Sequence, residues 1–344
     1  MASQSFTCSD PPKEFSRLMG LKGWSYEKAN NLKVVIVGCG GLGNPVARLI
    51  ARFGIGNIVL IDNDRVEIEN LNRDGFEFGD IGRNKAEVLK EKIERFFGNH
   101  SPNVEAICES VQNLQLERIV EGADLVITAT DNTGSRIYVN DICIKTNTEM
   151  IDAGFTTDGL RGHVRLILPG ETACLRCTSF DLPPPEKTNL VNKVDLGEKT
   201  GYAISPAPTL TFLASLAGMM TFSVLFEVSR PPSYISANLA EMKFTTVELK
   251  RNPKCEVCKS IKSVVKLTLI FYTNLVSALK LSISAEPDEK FLDLLKRVVP
   301  ELRIEDICVA TSAGQFVDLS KSVQEILGEV EEPRFYILSR GYDS

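Results

Sequence analysis

No long run of lysine and arginine occurs anywhere in the 344 residues, and the net charge is −6 with a pI near 5.3. Without clustered cations, a broad nucleic-acid surface is not expected. The first fifteen residues, MASQSFTCSDPPKEF, hold neither an apolar core nor a basic flank, so they are no secretory signal and a cytoplasmic address is expected. Charge is missing altogether from Thr209 to Phe226. That stretch still makes a poor membrane span, because five Thr or Ser residues lower its hydrophobicity and no Lys/Arg or aromatic belt flanks it. A helix buried in a core or a subunit interface is expected there, with no membrane partner. An even set of cysteines is lacking as well. Nine cysteines with two CxxC pairs fit thiols and metal better than a secreted disulfide framework.

The chain is organised around Val34 to Val66. An apolar β-branched run ends on Gly38-Cys39-Gly40-Gly41-Leu42-Gly43, a helical pattern follows, and a second apolar run from Ile58 to Ile61 stops at Asp62. This is a strand, a glycine turn, a helix and a strand. The G-x-G-x-x-G spacing lets the backbone turn tightly and lets a phosphate approach the main chain at the helix N-terminus. Asp62 lies nineteen residues past Gly43, where a carboxylate commonly holds a ribose hydroxyl.

At this length, two or three domains are expected. Residues 1–14 read as disordered, and short helical patterns over 15–21 and 26–31 precede the first strand. A polar loop, Asp-Arg-Val-Glu-Ile-Glu-Asn-Leu-Asn-Arg, follows Asn63, and Gly82-Arg83-Asn84-Lys85 opens a helix to about Phe97. Apolar runs at 104–107 and 125–128 are further strands, giving an α/β fold with a doubly wound, mostly parallel, Rossmann-like sheet. Beyond Met150 the alternating stretch HVRLILPG predicts an antiparallel strand. The polar, proline-bearing stretch to Lys199 reads as a loop, the uncharged helix follows, and a strand is expected near 243–249. From Val264 the pattern restarts as two strands, a helix over 289–298 and two more strands. That order suggests a small C-terminal β-grasp (ubiquitin-like) domain over 259–344, after a first domain over 15–258.

Cys174, Cys177, Cys255 and Cys258 form two CxxC pairs with 77 residues between them. Four thiolates with that bite suit a closed structural zinc site that staples two remote segments. A redox dithiol is disfavoured, because neither pair is expected at a helix start. Asn70, Arg73, Lys85 and Asp131 fall at or just after predicted strand ends, the rim at which doubly wound sheets bind ligands. Two cations there suit triphosphate oxygens and Asp131 suits magnesium, so ATP is favoured over a nicotinamide nucleotide.

In order along the chain, the G-x-G-G-x-G, the D-x-D of Asp62 to Asp64, E-N-L-N-R, the Arg83-Asn84-Lys85 of the helix opening, T-D-N at 130–132 and the split CxxC pairs resemble the ubiquitin-activating enzyme superfamily. That superfamily includes the bacterial adenylyltransferases that act on sulfur-carrier proteins. The phrases SRLMGLK, RGHVRLILPGETACLRC and TGYAISPAPTL look closest to its short homodimeric branch, which activates ubiquitin-fold modifier. The resemblance covers residues 15–258 and makes the first domain an adenylation domain. It implies that Gly38, Gly40, Gly41 and Gly43 line ATP, with Asp62 on the ribose and Asp64 beside it. It further implies that Asn70, Arg73 and Lys85 contact phosphates, that Asp131 binds magnesium, and that Arg17 reaches the ATP of a partner subunit. The tail would recruit a conjugating enzyme.

The resemblance also exposes a gap. The family's nucleophilic cysteine, framed by a glycine and a proline, falls in Gly201-Tyr202-Ala203-Ile204-Ser205-Pro206-Ala207-Pro208 at Ala203, and no cysteine lies between Cys177 and Cys255. Either the enzyme stops at the adenylate, or its nucleophile has been replaced by alanine; the complete rim and the conjugation-type tail favour replacement. The leading expectation is adenylation of the C-terminal carboxylate of a ubiquitin-like protein, followed by thioester formation and handover, by a homodimer using ATP, Mg2+ and Zn2+. Adenylation for a sulfur carrier, a non-catalytic ATP-binding scaffold and a dehydrogenase are the competing readings.

Overall fold

The computed structural model describes residues 11–156, 158–178, 204–260, 265–272, 278–285, 289–298, 307–311, 313–327, 329 and 334–339. Two compact units result, residues 1–259 and 260–344. The first contains β1 (Lys33–Val37), α2 (Gly43–Ala51), β2 (Asn57–Ile61), α3 (Lys85–Phe97), β3 (Asn103–Ile107), α4 (Leu116–Val120), β4 (Leu125–Thr128), α5 (Thr133–Lys145) and β5 (Met150–Phe155), after a short α1 (Tyr26–Asn31). β6 (Arg161–Ile167), α6 (Leu175–Thr178), α7 (Ala207–Leu225), β7 (Tyr234–Asn238) and β8 (Lys243–Val247) complete it.

The inner strands carry apolar residues on both faces, as helices on both sides of a parallel sheet demand. The sheet order is β3-β2-β1-β4-β5-β6-β7-β8, parallel through β5 and antiparallel beyond it. From β1 the chain winds outward through β2 to β3, then returns to β4 on β1's other side. The order therefore reverses between β1 and β4, which opens a crevice at their carboxyl ends.

The uncharged helix α7 packs against α2, β5 and β6. Its Leu210, Leu213, Ala214 and Ala217 join Val46, Ile50, Leu89, Ile151 and Val164 in one core. It is long and apolar enough to cross a membrane by length and composition, yet its inner face is used inside this core; Met219 stands out at 59% exposure.

Several expectations need correction. Residues 1–10 lie outside the described residues, but Lys13 and Glu14 belong to a 3-10 helix over Lys13–Leu18, held by the burial of Phe15. β5 and β7 had no sequence signal of their own: Asp152 and Gly154 interrupt β5, and β7 reads YISAN.

The second unit has a four-stranded sheet in the order β10 (Ala278–Ala285), β9 (Val265–Tyr272), β12 (Arg334–Ser339), β11 (Ile307–Thr311). Its first and last strands pair in parallel at the centre, and the outer two run antiparallel to them. Helix α8 (Phe291–Val298) and the short α9 (Val323–Leu327) bury Phe291, Leu294, Leu295, Val323 and Ile326 with Leu269, Phe335 and Ile337.

Candidate nucleotide site and cysteine cluster

The turns leaving β1 and β4 flank the crevice. Gly38 has φ +94, and a Cβ there would lie 2.8 Å from the Ala129 carbonyl. A Cβ on Gly43 would sit 1.7 Å from the Gly38 oxygen, and Gly41 is hemmed by Leu210 at 2.7 Å and by Arg73 Cδ at 2.9 Å. Gly40 faces open space. Bare backbone is thus offered at the start of α2, as an approaching anion requires.

Asp62 clasps this turn from the end of β2. Its Oδ2 accepts the Cys39 N–H at 2.7 Å and its Oδ1 accepts the Asp64 N–H at 2.8 Å. Burial pushes the carboxyl up, and the two backbone bonds and Lys85 offset this only in part. Lys85 comes from the first residue of α3 rather than from a strand end. Asn84 caps α3 through the Ala86 N–H and donates Nδ2 to the Asp62 carbonyl at 2.9 Å, which carries Lys85 Nζ to 3.0 Å from Asp64 Oδ2.

Arg73 follows a 3-10 turn over Ile68–Asn72 and lies against Gly41. Burial lowers its guanidinium and Asp131, just beyond β4, raises it, so Arg73 stands between the two turns. Asn70 is held by its own turn, where its Oδ1 accepts the Glu67 N–H at 3.0 Å, and a phosphate would be met by its Nδ2. Arg17 is elsewhere. Its neighbour Phe15 stacks on Tyr26 at 5.3 Å and Phe97 at 6.1 Å and lies near Gly54, beyond the opposite end of α2 from the glycine turn. Ala203 lies outside the described residues.

Sequence reasoning missed a buried network behind Asp131. Asp152 Oδ1 is 2.6 Å from Arg136 Nη1 and accepts from Thr128 Oγ1 at 2.7 Å, while Oδ2 is 3.2 Å from His163 Nε2. Arg136 Nε in turn donates to the Thr130 carbonyl at 2.8 Å, one residue before Asp131. A charge inside the apolar strand MIDAGF was the available signal. Its partner sixteen residues away was not readable.

The four cysteines converge. Cys174 Sγ lies 3.7 Å from both Cys177 and Cys255 Sγ, and Cys177 Sγ lies 3.6 Å from Cys258 Sγ, with all four residues buried. A disulfide would need about 2.05 Å. A tetrahedron with metal–sulfur bonds of about 2.3 Å has edges of about 3.8 Å, which these three separations match, and all four sulfurs lie within 4.8 Å of one another, so the set could hold zinc. Cys174 does immediately precede the one-turn α6, against expectation, but its sulfur faces three others rather than a single redox partner. Arg165 Nη2 donates to the Ala173 and Cys174 carbonyls at 2.9 and 2.6 Å, and the Asn252 N–H points to Cys177 Sγ at 3.4 Å. Cys39 is no alternative nucleophile, since burial pushes its thiol well up.

Over 256 residues the chain is 30% identical to ubiquitin-like modifier-activating enzyme 5 of Dictyostelium discoideum, covering 70% of this chain and 66% of that one. It is 31% identical over 265 residues to the Xenopus laevis protein of the same name, covering 70% and 64%. The match thus spans just under two thirds of the length of these curated relatives. The crystal structure of E. coli MccB with ATP is also similar, at a TM-score of 0.55 and 31% identity over 68% of each chain. Residues 15–257, well over half of the chain and including every residue of the nucleotide rim, match the ThiF family model, and the chain belongs to the ThiF family.

Proposed function

We propose that this protein uses ATP to adenylate the C-terminal carboxylate of a ubiquitin-like protein. The observation that carries this reading is the meeting of glycine turn, Asp62, Lys85, Arg73 and Asp131 at the single crevice where the sheet order reverses. The carboxylate is itself the nucleophile towards the α-phosphate, so no protein base is required. Lys85 and Arg73 stabilise charge on the phosphoryl oxygens. Asp131 is exposed at the rim, where it would hold a magnesium ion that neutralises phosphate charge. Asp62, already fixed by two backbone bonds, has lone pairs left for a ribose hydroxyl.

The names of the relatives support a ubiquitin-like substrate, and the MccB complex with ATP supports the nucleotide. The strand order of residues 260–344, with parallel first and last strands at the centre, supports a β-grasp reading of that unit and a role in recruiting a conjugating enzyme. With alanine at 203 and no cysteine between 177 and 255, this chain stops at the acyl-adenylate. That composition equally suits a member that adenylates without a thioester step, as for a sulfur carrier.

Pyrophosphate exchange into ATP decides the matter. Exchange dependent on a β-grasp protein with a free C-terminus, retained in residues 1–259 and reduced at least a hundredfold by Lys85→Ala, is expected. Absence of exchange with every β-grasp and sulfur-carrier protein tried would refute the reading. Ala203→Cys should add a reductant-sensitive adduct; exchange without that adduct would leave adenylation alone.

A further inference from the structure

Two polar side chains beside the glycine turn hold buried atoms that lack partners: both amide atoms of Asn44, and Nε of Arg73. Asn44 is the second residue of α2 and is fully buried. Its backbone N–H bonds to the Gly40 carbonyl at 3.0 Å, but Oδ1 and Nδ2 carry a desolvation penalty that nothing offsets. The amide faces Gly75, where a Cβ would lie 2.2 Å from Oδ1 and 2.5 Å from Nδ2. Gly75 has φ +115, a conformation that side chains resist. The segment 73–75 therefore runs across the first turn of α2, with Arg73 on Gly41 at one end and Gly75 on Asn44 at the other. Beyond this segment lies a cleft of about 540 Å³, lined among others by Arg48, Arg52, Lys92 and Phe96, which leaves it room to move off the helix.

We propose that Asn44 is a binding residue for the two terminal phosphates of ATP, the portion that leaves as pyrophosphate. When segment 73–75 moves towards the cleft, Nδ2 donates to a phosphate oxygen and Oδ1 accepts from the Arg73 guanidinium, so both orphaned groups are satisfied together. A neutral amide suits this place, because it holds the triphosphate in register without adding a charge that would retain the product. Glycine at 75 follows, since any side chain would collide with the amide in the ligand-free state. This inference rests on the adenylation reading.

The test compares ATP, inorganic pyrophosphate and AMP binding, by calorimetry and thermal shift, for the full chain and for Asn44→Leu and Asn44→Ser. Both variants should bind ATP and pyrophosphate about tenfold more weakly, the loss of one phosphate hydrogen bond, with AMP affinity unchanged. The ligand-free Tm of Asn44→Leu should rise. Unchanged ATP affinity in both variants overturns the inference while leaving adenylation standing. Equal losses for AMP and ATP also overturn it, because Asn44 would then only shape the turn. If Asn44→Leu fails to fold, the serine variant decides by the same ratio. A wild-type chain that ATP does not stabilise overturns this inference and the adenylation reading together.

Discussion

Asp152 is 2% exposed, and burial alone would push its carboxyl up; Arg136, His163 and Thr128 outweigh that and hold it below the usual carboxylate range. A carboxyl depressed in the folded state contributes stability above its unfolded value, near 4, and loses it as pH falls through the folded one. Thermal melts should therefore show Tm falling as the solution is acidified below about pH 4, with part of the slope due to this residue. Asp152→Asn should remove that part and cost about 3 kcal/mol at pH 7, because the half-buried Arg136 is left without its counter-charge. Equal stability of variant and wild type at pH 7 would sink the argument. At this scale the sequence was legible wherever residue type and local spacing suffice. Gly38, Gly43 and Asp62 stand where a G-x-G-x-x-G and a carboxylate nineteen residues on should place them. Arg136 and Asn44 were not legible, because their meaning depends on a strand or loop brought to them by the fold. Asn70 was legible in place, but the bond from the Glu67 N–H that fixes its amide oxygen was not.

Two segments remote in sequence are tied at one corner of the first unit. Thr172 pairs with Lys250 across an isolated bridge, and Arg251 Nη1 donates to the Gly170 carbonyl at 3.1 Å, so β6's exit and the chain after β8 already run side by side. Zinc would lock that junction rather than create it. One zinc per chain is expected by metal analysis of protein purified without chelator, and Cys174→Ser should lose it and lower Tm while sparing much of the ATP affinity. A metal-free wild type with an unchanged Tm after chelation would remove zinc from the account. The elements themselves were readable where the pattern was strong: α3 runs from Lys85 to Phe97, opened by Gly82-Arg83-Asn84-Lys85 as expected, and β9 through β12 follow the apolar runs. β5 and β7 were lost because polar residues needed for the Asp152 network and the partly exposed outer sheet break their alternation.

Arg17 poses the question that belongs to the whole molecule. The nine residues of α2 span roughly 13 Å, and Phe15 packs beyond the end opposite the glycine turn, so Arg17 cannot serve its own rim without dismantling that packing. If the residue acts on ATP as the family resemblance implies, it acts on a second copy, and the homodimer is then part of the site rather than an accident of association. Complementation distinguishes the two arrangements. Arg17→Ala and Lys85→Ala chains should each be nearly inactive in pyrophosphate exchange. Coexpressed in equal amounts, half of the dimers pair one chain of each kind, and each such dimer has one rim with Lys85 facing an intact Arg17. Roughly a quarter of wild-type exchange per site should return. An arginine acting within its own chain gives no recovery, because every rim then lacks one of the two cations. A 37.9 kDa species by sedimentation under assay conditions would likewise exclude action in trans.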